Sequence, residues 1–490
     1  MKTLSFIFLI TIAFFIRWLR WIAIVQQKEY RLDRLWLFLA SPEGRQDFWR
    51  LLPKRKDFNR TGLKRPKRTA RVAVVSVTSS LLLGCIAWVF VLLPIQGFWS
   101  WVVATILVGA VIYIVLPLLI IVSAVPSSLL SFLLTQHQLR SAQAKIHKSR
   151  PLIIGITGSY GKTSTKLLVS HVLSIKYQTF TTPKSYNTRY SVAKAINRNF
   201  NGEEIAILEY GAYTKGEIKF LAEWFPPQIA IITGLTLQHV GLFGDIASII
   251  QAKSELVRAV PEEGAVFCNS ADEGAHQICA KYRNRQHIAY SGDKSSVSLE
   301  KVCLNDRGQF CFSWKSKKIQ TQLIGIHYRS AVEAAIAIGT HFGISDKEII
   351  TALESFEPTN NFVQLKTGGN TSLVIDDGGT ANARGFSAAL DLLSWYKSKG
   401  YKTVIITSGI IDLGRWADEV HQELATQALP VTDTLVYLGT EGKDIFSQVF
   451  NQEIITDKDD LTAFIKQVDP KTVVLIEGRV PSWVHQVLAV

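Results

Sequence analysis

Leu152–Lys166 is an apolar, Ile-rich run that breaks at Thr157-Gly158-Ser159-Tyr160 and resumes as Gly161-Lys162-Thr163-Ser164 at the opening of a predicted helix. A strand that delivers a glycine loop to a helix N-terminus makes a nest of backbone N–H groups, backed by the helix dipole, which fits a polyphosphate. Lys162 would neutralise the outer phosphates, and Thr163 would offer its hydroxyl to magnesium. The general P-loop pattern expects a glycine where Ile156 stands, so this is a tighter Thr-Gly-x-x-Gly-Lys-Thr variant. Three residues further along could complete such a site. Glu209 closes the apolar run that starts at Ile205 and could hold magnesium. His239 follows the run 229–233, and Lys253 lies beyond it on a predicted helix with Glu255.

The elements that must position these residues are legible from periodicity. Apolar strands are expected at 152–156, 205–209, 228–232 and 265–268, with amphipathic helices near 162–174, 190–198, 216–223 and 247–258. Alternation of this kind predicts a parallel sheet wrapped by helices, whose ligands sit at the carboxyl ends of the strands. After Pro358 a second alternating set appears, with strands near 372–376, 402–407, 434–438 and 472–476.

The charge of this 490-residue chain, formally +14, is unevenly placed. Residues 1–150 hold 21 of the 54 basic side chains and only 5 of the 40 acidic ones, leaving 33 against 35 for the rest. No basic stripe remains in the catalytic part to meet nucleic acid, which excludes that partner class. Membrane lipids are the expected partner of the N-terminal third. Residues 72–94 and 98–125 are runs of spanning length joined by so few residues that they must form a hairpin. Residues 4–25 are less clean, because Arg17 and Arg20 interrupt them; the segment either spans with its arginines snorkelling or lies in the interface. The basic loop 44–71 and the basic stretch 138–150 place both segments, and everything after them, on the cytoplasmic side of the cell membrane. The five cysteines are scattered without a Cys-x-x-Cys pair, so neither a zinc site nor a disulfide framework is expected, and a reducing compartment fits.

From about residue 151 to the C-terminus the chain resembles the Mur ligases, and within them the MurF type. The resemblance is carried by Thr157–Ser164, Tyr186-Asn187-Thr188, Glu209 with Gly211, Gly216-Glu217-Ile218, Gln238-His239 through Asp245, and Ala252-Lys253 with Glu255. Asn269 with Asp272, Gly325 with His327, Asp376-Asp377 and Asn382 continue it. It implies an α/β protein with a P-loop parallel-sheet ATPase domain at 151–357 and a smaller doubly wound domain at 358–490, here preceded by a helical transmembrane region at 1–150. It also implies an ATP- and Mg2+-dependent amide ligase that activates a carboxylate as an acyl phosphate. By the same resemblance, Thr157, Gly158, Ser159, Tyr160, Gly161, Lys162, Thr163, Ser164, Asn269, His327 and Asp377 hold the nucleotide. Thr163, Glu209, His239 and a carbamoylated Lys253 ligate metal, while Lys162, His239 and Lys253 serve catalysis. Asn187, Thr188 and Asn382 face the substrates, a cell-wall precursor acceptor and an amino acid or dipeptide. The chain departs from the family at Tyr328, Ala331 and Asn361, and at Glu477, where a lysine is usual. A membrane region in place of the usual UDP-binding domain suggests a lipid-linked acceptor. The alternatives are another acid:amine ligase of the superfamily, such as a polyglutamate-type enzyme, and a catalytically silent membrane scaffold.

Overall fold

β1 (Leu152–Thr157) is Ile-rich because both of its faces are covered. Ile153 enters one apolar cluster, while Ile154 and Ile156 enter another on the opposite side. In the computed structural model β1 lies inside a six-stranded sheet with β2 (Thr179–Thr181), β3 (Ile205–Glu209), β4 (Ile229–Ile232), β5 (Ala265–Asn269) and β6 (Gln286–Tyr290), in the order β2-β3-β1-β4-β5-β6. All pairings are parallel. The helices Lys162–Leu173 and Arg329–His341 supply residues to one cluster. Arg189–Asn199, Glu217–Trp224, Ile246–Ala259 and Glu273–Ala280 supply the other. A parallel sheet buried on both faces reads as continuous apolar runs, which is why these strands were visible in the sequence.

The structure describes the chain except residues 1, 29, 41, 54–64, 237–244, 283, 294, 369–372, 378–381, 412, 414–415 and 452–453. His239 and much of the basic loop 44–71 therefore fall outside the described residues.

A three-stranded antiparallel sheet follows, built from β7 (Glu300–Leu304), β8 (Gln309–Trp314) and β9 (Lys317–Ile324). The last sheet has β10 (Gln364–Thr367), β11 (Leu373–Asp377), β12 (Lys402–Thr407), β13 (Thr434–Tyr437) and β14 (Thr472–Glu477), in the order β10-β11-β14-β12-β13. Only β10 runs antiparallel. Alternate residues divide between two apolar layers. Ile375, Ile405 and Leu475 join the cluster that includes Phe386 and Phe446, while Val374, Val404 and Val474 meet Leu461 and Val484.

The chain forms two compact units, Met1–His137 and Gln138–Val490. The first contains helices Lys2–Gln27, Ala70–Val91 and Phe98–Ser123, with Trp21, Val75, Leu116 and Ile120 in its small core. Among the described residues, two helical stretches, Ala70–Val91 and Phe98–Ser149, are long and apolar enough to cross a membrane, with mean hydropathies of 2.2 and 2.9. Leu81, Trp88, Ile106 and Leu107 are among their exposed apolar side chains. Arg17 does not reach outward as a snorkelling arginine would. It is buried and donates to the carbonyl of Phe48 at 2.8 Å, while Arg20 pairs with Asp47.

One sequence expectation is overturned. Cys268 at the end of β5 and Cys279 in the last turn of helix Glu273–Ala280 form a disulfide, with Cα atoms 6.4 Å apart. Their spacing carries no motif; the strand-to-helix return brings them together.

Candidate active site

The glycine loop between β1 and helix Lys162–Leu173 is held from three sides. The Ser159 amide donates to the Gly234 carbonyl at 2.6 Å, and the Thr233 hydroxyl donates to the Tyr160 carbonyl at 2.6 Å. The Tyr160 hydroxyl donates to Asp272 at 2.8 Å, and Asp272 also accepts from the amides of Leu235 and Ala275. Asp272 thereby caps helix Glu273–Ala280 and ties β4, β5 and the loop together. A Cβ at Gly158 would lie 2.0 Å from the Thr233 hydroxyl oxygen, so no side chain fits there. Gly161 precedes the helix at φ +73°, a conformation costly for residues with a Cβ. Ser164 and Thr163 occupy the first turn, where amide groups lack helical partners.

Lys162 folds back over this loop, donating to the Gly158 carbonyl at 2.6 Å and to Ser159 at 3.3 Å. Burial pulls its ammonium below the usual lysine range, and the Glu209 carboxylate works in the opposite direction. The Thr163 hydroxyl lies 3.1 Å from that of Ser185. Glu209 ends β3, level with Ile156 of β1, and is fully buried. Its carboxylate meets Lys166 at 2.8 Å. Lys166 also donates to the carbonyls of Thr182 and Lys184, each at 2.6 Å, so one buried ammonium ties Glu209 to the segment leading to Asn187. Lys166 was missed in the sequence; the available signal was its position one helical turn after Lys162.

Lys253 is buried on helix Ile246–Ala259, and its ammonium is pushed down to about 7 by burial, then by the charge of Lys162. Glu217 and Glu255 oppose that shift. Both carboxylates are occupied by backbone amides: Glu217 accepts from Tyr213 and Thr214, and Glu255 from Gly216 and Lys219. The charge of Lys162 bears on Lys253, and that of Glu209 on Lys162.

The other candidates are fixed chiefly within their own elements. Asn269 is buried and donates to the Thr233 carbonyl at 2.6 Å. The Asn187 carbonyl accepts from the Gly211 amide at 3.1 Å, and Thr188 caps helix Arg189–Asn199. His327 stacks on Tyr328 with ring centroids 4.0 Å apart; burial lowers its imidazole to about 4, and Nδ1 has no hydrogen-bond partner among the described residues. Asn382 caps helix Ala383–Ser398, and Arg384 in the first turn of that helix lies 5.8 Å over the Tyr160 ring. This contact sets the C-terminal sheet's first helix beside the glycine loop.

Asp377 and Glu477 end neighbouring strands in register. Glu477 is fully buried, and burial together with Asp377 holds its carboxyl well above the usual range. Burial and the adjacent Asp376 raise Asp377 to about 7. Asp376 itself is paired with Lys366 at 2.8 Å.

Comparison with known proteins places this arrangement in context. Residues 156–339 match the Mur ligase middle domain. The chain is 31% identical over 301 residues to the UDP-N-acetylmuramoyl-tripeptide–D-alanyl-D-alanine ligase of Mycobacterium tuberculosis, across 59% of this chain and 58% of that protein. The match thus spans well under two thirds of that relative's length. In fold it is similar to MurF from Acinetobacter baumannii, with a TM-score of 0.65 and 20% identity over 72% of this chain and 79% of that one. MurF from Thermotoga maritima in complex with ADP gives a TM-score of 0.61 and 22% identity over 70% and 80%.

Proposed function

We propose that this chain, whose residues 156–339 match the Mur ligase middle domain, is a Mur-type ligase of the MurF kind, an ATP-dependent enzyme of cell-wall precursor synthesis. It activates a carboxylate as an acyl phosphate and joins it to the amine of an amino acid or dipeptide. The observation that carries this reading is the glycine loop itself, closed by Gly158 and Gly161 at a helix N-terminus, with Lys162 folded over it and the buried Glu209 ending the adjacent strand level with Ile156.

The residues present fit ATP and Mg2+. Lys162 rests on the loop carbonyls, at the N-terminus of a helix whose first-turn amides lack helical partners. Thr163, Glu209 and a carbamoylated Lys253 are the oxygen donors of the described residues, and His239 is assigned to metal with them. When bound, ATP provides the phosphoryl group and Mg2+ neutralises charge on it during transfer. Lys253 suits carbamoylation because burial leaves a large neutral fraction near pH 7, and only a neutral amine reacts with carbon dioxide. Asn269 and His327 line the nucleotide side, while Asn187, Thr188 and Asn382 face the substrates.

We assign 1–150 to a membrane region, 151–357 to the ATP-binding domain and 358–490 to a doubly wound domain that presents the amine. Helices over both faces of the last sheet support that assignment. The long apolar helices support anchorage in a membrane; with it we propose a cytoplasmic ligase part and an acceptor carried on a lipid.

Two experiments test the reading. Mg·ATP should raise the melting temperature of the wild type but not of Lys162→Ala, and amine-dependent phosphate release should vanish in that variant; persistent release would mean the loop was misassigned. Offering UDP-linked and lipid-linked peptide acceptors side by side tests presentation, and equal turnover of both would remove the case for a lipid carrier.

A further inference from the structure

The disulfide at the edge of the six-stranded sheet has a third neighbour that a disulfide does not require. In the parallel pairing of β5 and β6, Val266 is level with His287 and Cys268 with Ala289. Side chains two apart in a strand share a face, so His287 lies on the face of Cys268, one step back along the sheet. Helix Glu273–Ala280 returns over that face and brings Cys279. The three possible ligand atoms lie within 4.8 Å of one another, with Cys268 Sγ 3.8 Å from His287 Nδ1. The other ring nitrogen, Nε2, meets the Tyr282 carbonyl. A carbonyl can only accept, so Nε2 carries the hydrogen and Nδ1 turns its lone pair toward the sulfurs. A backbone carbonyl fixing the far nitrogen of an imidazole is the usual arrangement around a metal-ligating histidine.

We propose that the reduced protein binds a Zn2+-class cation through Cys268 Sγ, Cys279 Sγ and His287 Nδ1. Sulfur and imidazole donors select such cations over Mg2+, so this site is separate from the one at the glycine loop. Zn–S bonds of about 2.3 Å in tetrahedral geometry place two sulfurs roughly 3.8 Å apart, which residues with Cα atoms 6.4 Å apart can span. Reduction of the disulfide by an added phosphine consumes two electrons and two protons and yields two thiols. Binding then releases both thiol protons, leaving a neutral cluster of one dication, two thiolates and one imidazole, as burial of both cysteines demands. His287 is partly exposed, giving the cation an entry path and the fourth position a water.

The test is a Cd2+ titration of the full chain in detergent after reduction and removal of reductant, followed through thiolate-to-cadmium charge-transfer absorbance. Cys303 and Cys311 face one another across β7 and β8, so a Cys303→Ser background keeps them silent. One equivalent of Cd2+, displaced by Zn2+, is the expected result. Cys268→Ser and Cys279→Ser should each abolish the band, and His287→Gln should weaken binding by at least about tenfold. No band in the reduced protein, or a band that survives in the Cys268→Ser/Cys279→Ser double variant, would overturn the proposal. If the serine variants fail to fold, His287→Gln decides alone, and unchanged Cd2+ affinity there would also overturn it.

Discussion

Replacing Lys166 with methionine isolates the electrostatics beneath the glycine loop. Methionine approximates the length of the lysine stem but removes the ammonium that holds Glu209 at 2.8 Å and the carbonyls of Thr182 and Lys184 at 2.6 Å. Both side chains of the pair are 0% exposed, so no water replaces the lost partner. Breaking a buried ion pair by deleting one member costs about 3–5 kcal/mol, because the remaining charge stays buried. Lys315–Asp346 is the natural control: its side chains are 56% and 46% exposed, a class worth about 0–1 kcal/mol. Urea unfolding of the full chain in detergent, followed by tryptophan fluorescence, should show a midpoint lowered by about 1 M or more for Lys166→Met, given slopes of about 1–3 kcal/mol per molar. Lys315→Met should scarcely move it. Glu209→Gln alone should also destabilise. The double variant Lys166→Met/Glu209→Gln should recover part of the sum, since neither charge is then stranded, with a coupling of about 1–3 kcal/mol. If Lys166→Met behaves like Lys315→Met, or the double variant is merely additive, the pair is open to water and the reasoning fails.

Lys253→Ala should lower phosphate release about a hundredfold, the scale of losing one electrostatic stabiliser of a transferring group, with partial rescue by short-chain carboxylic acids. The basis is an amine at about 7, half neutral at pH 7, where an ordinary lysine is neutral about once in three thousand; absence of rescue would leave Lys253 a structural residue. Asp377 titrates at about 7 when folded but near 4 in an unfolded chain, so between those values the native state holds a proton the unfolded state has released. Stability should therefore fall as pH rises through that window. Asp377→Asn should be more stable than the wild type at pH 8, with the difference shrinking toward pH 5; a gap independent of pH would mean the carboxyl is not shielded as described.

The parallel strands were legible in the sequence because strands buried on both faces carry unbroken apolar runs: β1, β3, β4 and β5 each lie within a residue or two of their expected bounds. The antiparallel sheet β7-β8-β9 was not, because β9 alternates buried and exposed positions and fills the exposed ones with Lys317, Lys318, Gln320 and Gln322. Short edge strands such as β2 and β10 offer too few residues for any period to register.

For the site, local sequence determined what local geometry needs: a glycine loop at the end of an apolar strand, a lysine and a threonine at the helix start, and a carboxylate closing a neighbouring strand. Tertiary structure alone decided the counter-charges. It set Lys166 against Glu209, Tyr160 against Asp272, Asp377 beside Glu477, and Cys268 within reach of Cys279 and His287. Periodicity reports which face of an element is dry, whereas the strength and sign of a charge interaction depend on burial and on distances across elements far apart in the chain, quantities that come into being only when the sheets close.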